Sequence, residues 1–507
     1  MELPEIQAVR GTRDVLPPIR GLERSLENDL RNVFARYGYE AIDTPILEPT
    51  ELFLRKSGES IASRMYSFMH WNRDLCLRPE FTASVIRAYV NHMQDRPLPL
   101  RVQYAGPTFR YERSLAEPNR QFTEVGAECI GAGGPAADGE VLALARDGLE
   151  ALGVRRTRFV VGHLGAVLEL LSQMGMDARA QSLVVVEMEH LAQSPAAVDE
   201  VVDRLTSMLA GRPEGDFGAD APLTGLLQSL GTEAAADITA SLFERANLSL
   251  DGGTRPSEEI VDRLLKKTRR PSPAPNLRRA TEFICRLHEL AGPPEHALPA
   301  LRRLLSEQNL DDTPVRDVER ALQFFDAYFE EPAEVIVDLS LARGLRYYTG
   351  LIFEIYDDRG EYLAGGGRYD DLVRSLGGKT AVPACGFSFW LEPLIAARER
   401  ELGPLEPPGA VQVLLAPVDP AGHDTAARVA GRLRREGVTV EMDVKSRGVK
   451  GNLQHAARQR IPLVLMVGER EGAIETFTLH SLGAGGEESV PEAALLRTIQ
   501  ERLGARR

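Results

Sequence analysis

The chain has 507 residues, of which 43% are hydrophobic and 26% are charged, a composition typical of soluble globular proteins with roughly two to four domains. Its formal net charge of −14 argues against broad adhesion to nucleic acids or anionic membranes, although a local basic surface can still bind RNA. The four cysteines form no Cys-x-x-Cys pair, so neither a zinc knuckle nor a disulfide framework is indicated. Without a signal segment or a membrane-length apolar run, we expect a cytoplasmic protein that makes no membrane contact.

The amino-terminal part combines a helical pattern with a strand pattern. Apolar residues recur every four positions from Leu22 to Phe34, which predicts a helix over about 19–37. The strand pattern that follows is interrupted by Pro45, and taken alone it indicates an edge strand.

Polar residues follow the strand predicted to end near residue 78. Glu80 and Thr82 stand between that strand and the next helix, at the mouth of a sheet. A carboxylate in this place can accept hydrogen bonds from an ammonium group. The alternative is a solvated carboxylate favoured by the helix dipole.

Residues 102–113 and 119–131 have the pattern of two strands joined by a loop. Side-chain alternation places Arg110 and Glu112 on one face, and Glu124 and Glu128 on one face of the returning strand. Surface charge ladders explain this pattern in most hairpins, but the Phe-Arg-x-Glu core is more specific than such a ladder. Beyond residue 165 the periodicity is helical to about residue 330, and stripes such as Leu301 and Leu304 indicate core.

The stretch from residue 335 to Tyr356 is the most informative in the chain. It predicts two antiparallel strands whose connecting turn carries Arg343, Tyr347 and Tyr348. The glycines at 365–367 let the backbone pass close to a ligand, and we predict that Arg368 opens a helix. The alternative is a glycine-rich hairpin with a solvated arginine.

The carboxy-terminal part, after a proline-rich linker at 402–409, alternates strand and helix patterns. This predicts a small α/β domain. Its basic cluster of Lys445, Arg447 and Lys450 taken alone indicates a solvated face.

These segments resemble motifs of the histidyl-tRNA synthetase family. Residues 343–350 resemble its Arg-Gly-Leu-Asp-Tyr-Tyr-Thr-Gly motif, with Arg346 in place of the aspartate, and Gly366–Asp370 matches Gly-Gly-Arg-Tyr-Asp. The third motif, Gly-Phe-Ala-x-Gly-x-Glu-Arg-Leu, corresponds to 386–394, where Pro393 takes the place of the arginine. The resemblance covers most of the chain outside the helical region.

The resemblance implies an α+β fold: a class II synthetase-like antiparallel sheet domain with a helical insertion, followed by an anticodon-binding-like α/β domain. The bounds that we predict are 1–164 and 331–401 for the two parts of the sheet domain, 165–330 for the insertion and 410–507 for the last domain. The helix, strand and proline near the start resemble the first class II motif, which implies a homodimer through the sheet domain.

The resemblance also implies a site for free histidine and its residues. Opposite charges and hydrogen-bonding groups would meet the ammonium, the carboxylate and the imidazole, since buried charges require partners and arginine binds carboxylate in a fork. The ammonium would meet Glu80, Thr82 and Glu124. The carboxylate would meet Arg110 and Arg343, and the imidazole would meet Glu128, Tyr347 and Tyr348. Arg110 and Glu112 are the expected nucleotide contacts, and no metal ligand is predicted.

Two arginines that the family places on the phosphates of ATP are missing. Pro393 replaces one and Pro118 stands near the other, while Arg113 and Arg120 are possible substitutes. Because an arginine on a phosphoryl group in the transition state contributes ~10³ to 10⁵ in rate, their loss predicts weak activation of histidine.

We therefore predict a member of the branch of regulatory subunits of ATP phosphoribosyltransferase. Such a subunit senses histidine in histidine biosynthesis, binds the short catalytic subunit, and has neither a catalytic residue nor a cofactor. The carboxy-terminal domain, which many such subunits reduce or lack, argues against this prediction. The alternative is a histidine–tRNA ligase that uses ATP and Mg, binds tRNA(His) and has Arg110 and Arg343 as catalytic residues. A tRNA-sensing binding module is a third possibility.

Overall fold

The computed structural model describes residues 5–55, 64–111, 120–209, 274–341, 347–404, 411–420, 422–468, 476–482 and 486–504. Contacts within the chain divide it into two compact units. The first unit comprises Met1–Thr12 and Glu27–Leu402, and the second comprises Arg13–Leu26 and Gly403–Arg507. The predicted domain bounds stay a prediction.

Strands of the described residues are numbered in chain order. They are β1 (Glu40–Ala41), β2 (Leu47–Pro49), β3 (Ser67–His70), β4 (Arg73–Leu77), β5 (Leu100–Phe109), β6 (Gln121–Ile130), β7 (Thr157–His163), β8 (Glu334–Val337), β9 (Leu351–Asp357), β10 (Tyr362–Arg368), β11 (Ala384–Trp390), β12 (Val413–Pro417), β13 (Val440–Met442), β14 (Leu463–Val467), β15 (Thr476–Ser481) and β16 (Gly486–Pro491).

The α-helices of the same residues are numbered in the same way. They are α1 (Ile19–Arg36), α2 (Thr50–Leu54), α3 (Thr82–His92), α4 (Pro135–Ala151), α5 (Leu164–Gln173), α6 (Ala178–Gln193), α7 (Val198–Leu209), α8 (Ala274–Glu289), α9 (Pro294–Glu307), α10 (Thr313–Asp326), α11 (Leu372–Ser375), α12 (Leu391–Leu402), α13 (Gly422–Arg435), α14 (Val449–Arg458) and α15 (Leu495–Gly504).

The first unit is built on an eight-stranded, mostly antiparallel sheet in the order β1-β5-β6-β11-β10-β9-β7-β8. The predicted hairpin of 102–113 and 119–131 is present as β5 and β6. A second, three-stranded sheet has the order β2-β4-β3. Aromatic residues form the core on one face of the large sheet, where the Phe34 ring of α1 lies 5.8 Å from Phe387 and 6.4 Å from Phe389.

The two strands predicted around residues 335–356 are β8 and β9, and they run in opposite directions as expected. They are not neighbours, because β7 lies between them, parallel to β8 and antiparallel to β9. The turn residues therefore connect strands that are separated by one position in the sheet. The glycine-rich hairpin of the alternative is present as β9 and β10, which pair antiparallel, but its arginine, Arg368, is buried instead of solvated.

Arg368 does not open a helix, contrary to the prediction. It is the last residue of β10 and is buried, with its Nε 2.9 Å from Asp138 Oδ1 in the first turn of α4. A further hydrogen bond joins its Nη1 to the carbonyl oxygen of Ala132 at 3.0 Å. The side chain extends to a buried carboxylate on the scaffold, so Arg368 ties β10 to the amino end of α4.

The second unit contains a five-stranded mixed sheet in the order β13-β12-β14-β15-β16. Strand β12 pairs in parallel with β13 and β14, and the last two strands are antiparallel. Its core consists of apolar residues such as Leu415, Val429 and Leu465. In the parts of the chain that the structure describes, no helix has the length and apolarity needed to cross a membrane.

Candidate functional site

One pocket of the first unit collects most of the predicted site residues. It lies on one face of the large sheet, where the Cα atom of Glu128 in β6 pairs with that of Gly386 in β11, and that of Glu124 pairs with that of Trp390. The pocket is lined by Glu80, Thr82, Arg110, Glu124, Tyr347, Tyr348, Tyr362, Gly365, Gly386, Phe387, Ser388 and Trp390.

Glu128 is completely buried and accepts three hydroxyl hydrogen bonds. Thr82 Oγ1 donates to its Oε1 at 2.7 Å, Tyr104 OH donates to the same oxygen at 3.0 Å, and Tyr369 OH donates to Oε2. Burial raises the pKa of the Glu128 carboxyl to about 8, although these hydrogen bonds lower it. The buried carboxyl therefore keeps a proton up to a higher pH than an exposed glutamate does.

Gly386 is required for this arrangement because the two strands approach closely beside Glu128. A β-carbon at residue 386 would overlap Glu128 Oε2 and lie 2.5 Å from the carbonyl oxygen of Ala127. Any other residue type would have to displace the carboxylate or the backbone of β6. The glycine thus fixes the inner wall of the pocket.

Glu80 lies at the start of α3 and is also buried. The backbone N–H of Ala83 donates to its carboxylate, with distances of 3.1 Å to Oε1 and 3.3 Å to Oε2. Burial raises the pKa of Glu80 to about 7, against the effect of this hydrogen bond. The solvated carboxylate considered from the sequence is therefore excluded.

Arg110 and Glu124 form an ion pair at the outer end of the pocket. Arg110 Nη2 donates to Glu124 Oε1, and Arg110 Nε donates to the carbonyl oxygen of Pro79 at 2.6 Å. The guanidinium carbon lies 5.4 Å from the centre of the Trp390 ring. The cation is consequently held in one place before any ligand binds.

Two tyrosines from the Arg-Gly motif complete the apolar wall. The rings of Tyr347 and Tyr348 are buried with centres 4.8 Å apart, and Tyr347 meets Tyr369 edge to face at 5.7 Å. Tyr369 belongs to the Gly-Gly-Arg-Tyr-Asp motif, so the two motifs meet at this point. Arg343 and Glu112 lie outside the described residues.

Seven of the predicted histidine-binding residues therefore come together, six on the pocket and Glu128 beneath it through Thr82. Their roles toward a ligand stay predictions. Sequence reasoning missed Tyr104, Tyr369, Gly386 and Trp390. Trp390 was detectable, because the family motif has a glycine at that position.

The sequence departs from the family pattern at the outer end, around the start of α12. Pro393 lies in the first turn of this helix, where a proline removes no intrahelical hydrogen bond. It contributes no charge. Arg120 is the first described residue after 112–119, and its guanidinium carbon lies 4.5 Å from the centre of the Tyr111 ring. Its buried Nε has no hydrogen-bond partner among the described residues.

The described residues offer no preformed site for a metal ion. No group of three or more His, Cys, Asp or Glu side chains there could hold a metal ion. Since Mg²⁺ is commonly bound through one or two carboxylates together with substrate phosphates, a magnesium ion can arrive with a nucleotide instead.

Comparison with known proteins identifies the family of this chain. The family model described as histidyl-tRNA synthetase matches residues 11–212 and 236–394. The chain belongs to the histidyl-tRNA synthetase family. The model described as anticodon binding domain matches residues 412–502, and together these matches confirm the predicted fold class.

Three similar proteins carry informative names. The histidine–tRNA ligase of Methanocorpusculum labreanum is 33% identical over 484 residues, which are 94% of each chain. The crystal structure of apo S. aureus histidyl-tRNA synthetase has a TM-score of 0.64 and 25% identity, covering 98% of this chain and all of that one. A structure from Bacillus halodurans, named as an ATP phosphoribosyltransferase regulatory subunit/histidyl-tRNA synthetase, has a TM-score of 0.63 with 20% identity, covering 93% of this chain and 100% of that chain.

The prediction of a regulatory subunit of ATP phosphoribosyltransferase is wrong. The same correction applies to the predicted place in histidine biosynthesis and to the short catalytic subunit as a partner. The relative that is 33% identical along nearly the whole chain is named a ligase, whereas the 20% likeness to the structure named as a regulatory subunit shows only the fold. The prediction failed because it gave two missing arginines more weight than the rest of the chain.

Proposed function

We propose that this protein is a histidine–tRNA ligase, which forms histidyl-adenylate from histidine and ATP and charges tRNA(His). The observation that carries the proposal is the charge pattern of the pocket, in which buried carboxylates and one fixed arginine lie beside a tyrosine wall. That pattern complements the ammonium, the carboxylate and the imidazole of histidine. The names of the relatives support the same reaction.

The inner part of the pocket selects the amino acid. Glu80 and Glu124 attract the ammonium group, and its positive charge favours their ionised form, which offsets the cost of burial. Glu128 accepts a hydrogen bond from the imidazole N–H, and the rings of Tyr347 and Tyr348 pack against the imidazole. Side chains without an N–H donor would not supply this additional hydrogen bond to the buried carboxylate.

The outer part prepares the reaction. Arg110, together with Arg343 from outside the described residues, binds the histidine carboxylate and orients one oxygen toward the α-phosphorus of ATP. An oxygen–phosphorus bond forms as the bond to pyrophosphate breaks, and pyrophosphate leaves. A hydroxyl of the terminal tRNA ribose then attacks the adenylate carbonyl, so that the amino acid is esterified and AMP leaves.

The leaving pyrophosphate requires positive charge, which Pro393 does not provide. Arg120 is the described cation best suited to this role, since its buried Nε has no hydrogen-bond partner among the described residues. Mg²⁺ bound to the ATP phosphates supplies the remaining charge compensation when it is present. Glu112, the other predicted nucleotide contact, lies outside the described residues.

We also propose that the protein forms a homodimer through the first unit. Apolar side chains are exposed along β3 and its turn, with Met69 67% and Trp71 86% exposed. Exposed apolar patches commonly mark protein interfaces. A dimer mass in light scattering supports the homodimer, and a monomer for wild-type protein at micromolar concentration contradicts it.

Histidine-dependent exchange of labelled pyrophosphate into ATP tests the proposed reaction. We expect exchange with the full chain, followed by charging of tRNA(His), and loss of exchange in Arg110→Ala. Arg96→Ala is the matched control, because Arg96 forms a solvent-exposed ion pair with Glu40 away from the pocket. Folded protein that binds histidine and catalyses no exchange would contradict the proposal.

A further inference from the structure

Trp390 is an aromatic residue at a position where the family motif has a glycine. It ends β11, directly opposite Glu124 in β6. Its ring stacks on Phe122 with centres 5.0 Å apart and meets the edge of Tyr362 at 4.9 Å. The indole is therefore packed into the outer wall of the pocket instead of projecting into solvent.

The same ring contacts the arginine that the proposed mechanism uses. Arg110 has its guanidinium carbon 5.4 Å from the ring centre, within the range of a cation–π interaction. Hydrogen bonds to the carbonyl oxygen of Pro79 and to Glu124 restrain the guanidinium within its plane. Trp390 adds a contact through the face of its indole ring, which the hydrogen bonds do not supply.

The backbone around Trp390 is fixed as well. Both carboxylate oxygens of Glu392 lie 3.1 Å from the backbone nitrogen of Thr123, so the start of α12 is joined to β6. Thr123 is next to Phe122, on which the indole stacks. Because the ring and its backbone are held by the same strand, Trp390 is a rigid support for Arg110.

We propose that Trp390 is a positioning residue, which holds the Arg110 guanidinium where it binds the α-carboxylate of the amino acid. This inference rests on the proposed function, since it takes Arg110 as the carboxylate ligand. It predicts that Trp390 affects the recognition of the carboxylate and leaves the recognition of the imidazole and ammonium unchanged. Histidinol has a hydroxymethyl group instead of the carboxylate, so its binding measures the recognition of the imidazole and ammonium alone.

The test is a calorimetric titration of histidine and of histidinol without ATP. Wild-type protein should bind histidine more tightly than histidinol. Trp390→Leu should reduce that preference by about three- to thirtyfold, the range of one partly desolvated cation–π contact, with the affinity for histidinol within about twofold of wild type. Trp390→Phe keeps an aromatic face and should restore most of the preference.

Equal weakening of both ligands in Trp390→Leu would show a merely structural role and overturn the inference, as would an unchanged preference. Trp390→Met is the second variant if the leucine variant does not fold. Failure of the wild type to bind histidine would instead contradict the proposed function. The chain has two tryptophans, so in a Trp71→Phe background the fluorescence of Trp390 should change when histidine binds, and an unchanged signal would also count against the inference.

Discussion

The two ends of the pocket differ in how firmly the fold determines them. At the inner end, Glu128 receives three hydroxyl hydrogen bonds and faces a glycine that nothing larger can replace. At the outer end, Trp390 and Pro393 stand where the family motif has a glycine and an arginine. Backbone packing therefore constrains the recognition of the amino acid more strongly than the handling of the nucleotide, and the outer end has changed its side chains within the same fold.

Gly386→Ala should have the largest effect on histidine binding, because it changes the inner end of the pocket directly. The added methyl group overlaps the Glu128 carboxylate, and overpacking of this kind costs enough to weaken histidine binding by about 100-fold. Calorimetric titration with histidine measures the change. Gly133→Ala is the matched control, since its β-carbon would meet only Pro383 at an ordinary distance of 3.6 Å. Equal affinities for the two variants would show that the inner end is not the histidine site.

Pro393→Arg should add a positive charge at the outer end of the pocket. An arginine in the first turn of α12 restores the family motif, and a cation near the leaving pyrophosphate should raise the rate of pyrophosphate exchange by about tenfold or more. The affinity for histidine should stay the same. Pro393→Ala controls for the loss of the proline ring. If the arginine variant is no faster than the alanine variant, the missing charge does not limit the reaction.

The pH dependence of histidine binding should show a smaller effect. The pKa values of Glu80 and Glu128 are raised to about 7 and about 8 by burial, so raising the pH from 6 to 8 removes protons that compete with the ligand. Affinity should rise by roughly three- to tenfold over this range, and less in Glu128→Gln. Glu51→Gln, at an exposed position, should behave as wild type. A flat profile for wild type would contradict the role of these carboxyls.

The raised pKa values of Glu80 and Glu128 also determine whether the free energy of unfolding rises or falls with pH. A carboxyl whose pKa is higher in the folded state than its ordinary 4.5 binds a proton that the unfolded chain has already released. The free energy of unfolding without ligand should therefore fall as the pH rises from about 5 to 8. Urea unfolding of wild type and Glu128→Gln measures it, and the variant should lose less stability over this range.

Local patterns predicted much of the fold and of the site. The helix expected over about 19–37 is α1 (Ile19–Arg36), and the strand alternation that grouped Glu124 with Glu128 holds in β6. These features depend on neighbouring residues, which the sequence displays directly. The position of β7 between β8 and β9 could not be predicted, because β7 comes from a segment about 170 residues earlier in the chain.

Side-chain contacts across strands were the other limit of the sequence. Tyr104 in β5 and Tyr369, which directly follows β10, both reach Glu128, and no spacing along the chain relates them. Trp390 was visible as a departure from the family motif, but its contact with Arg110 depends on the pairing of β11 with β6. The missing arginines, in contrast, were plain in the sequence and led to the wrong function.

Arg368 has a consequence for the use of signature motifs in classifying proteins. It is the arginine of the Gly-Gly-Arg-Tyr-Asp motif, yet it is buried against Asp138 and joins β10 to α4. Natural selection for a stable scaffold alone is enough to preserve it. A descendant that had lost its enzymatic activity would retain this arginine, so the signature records ancestry, and the residues facing the substrate must be inspected to assign a reaction.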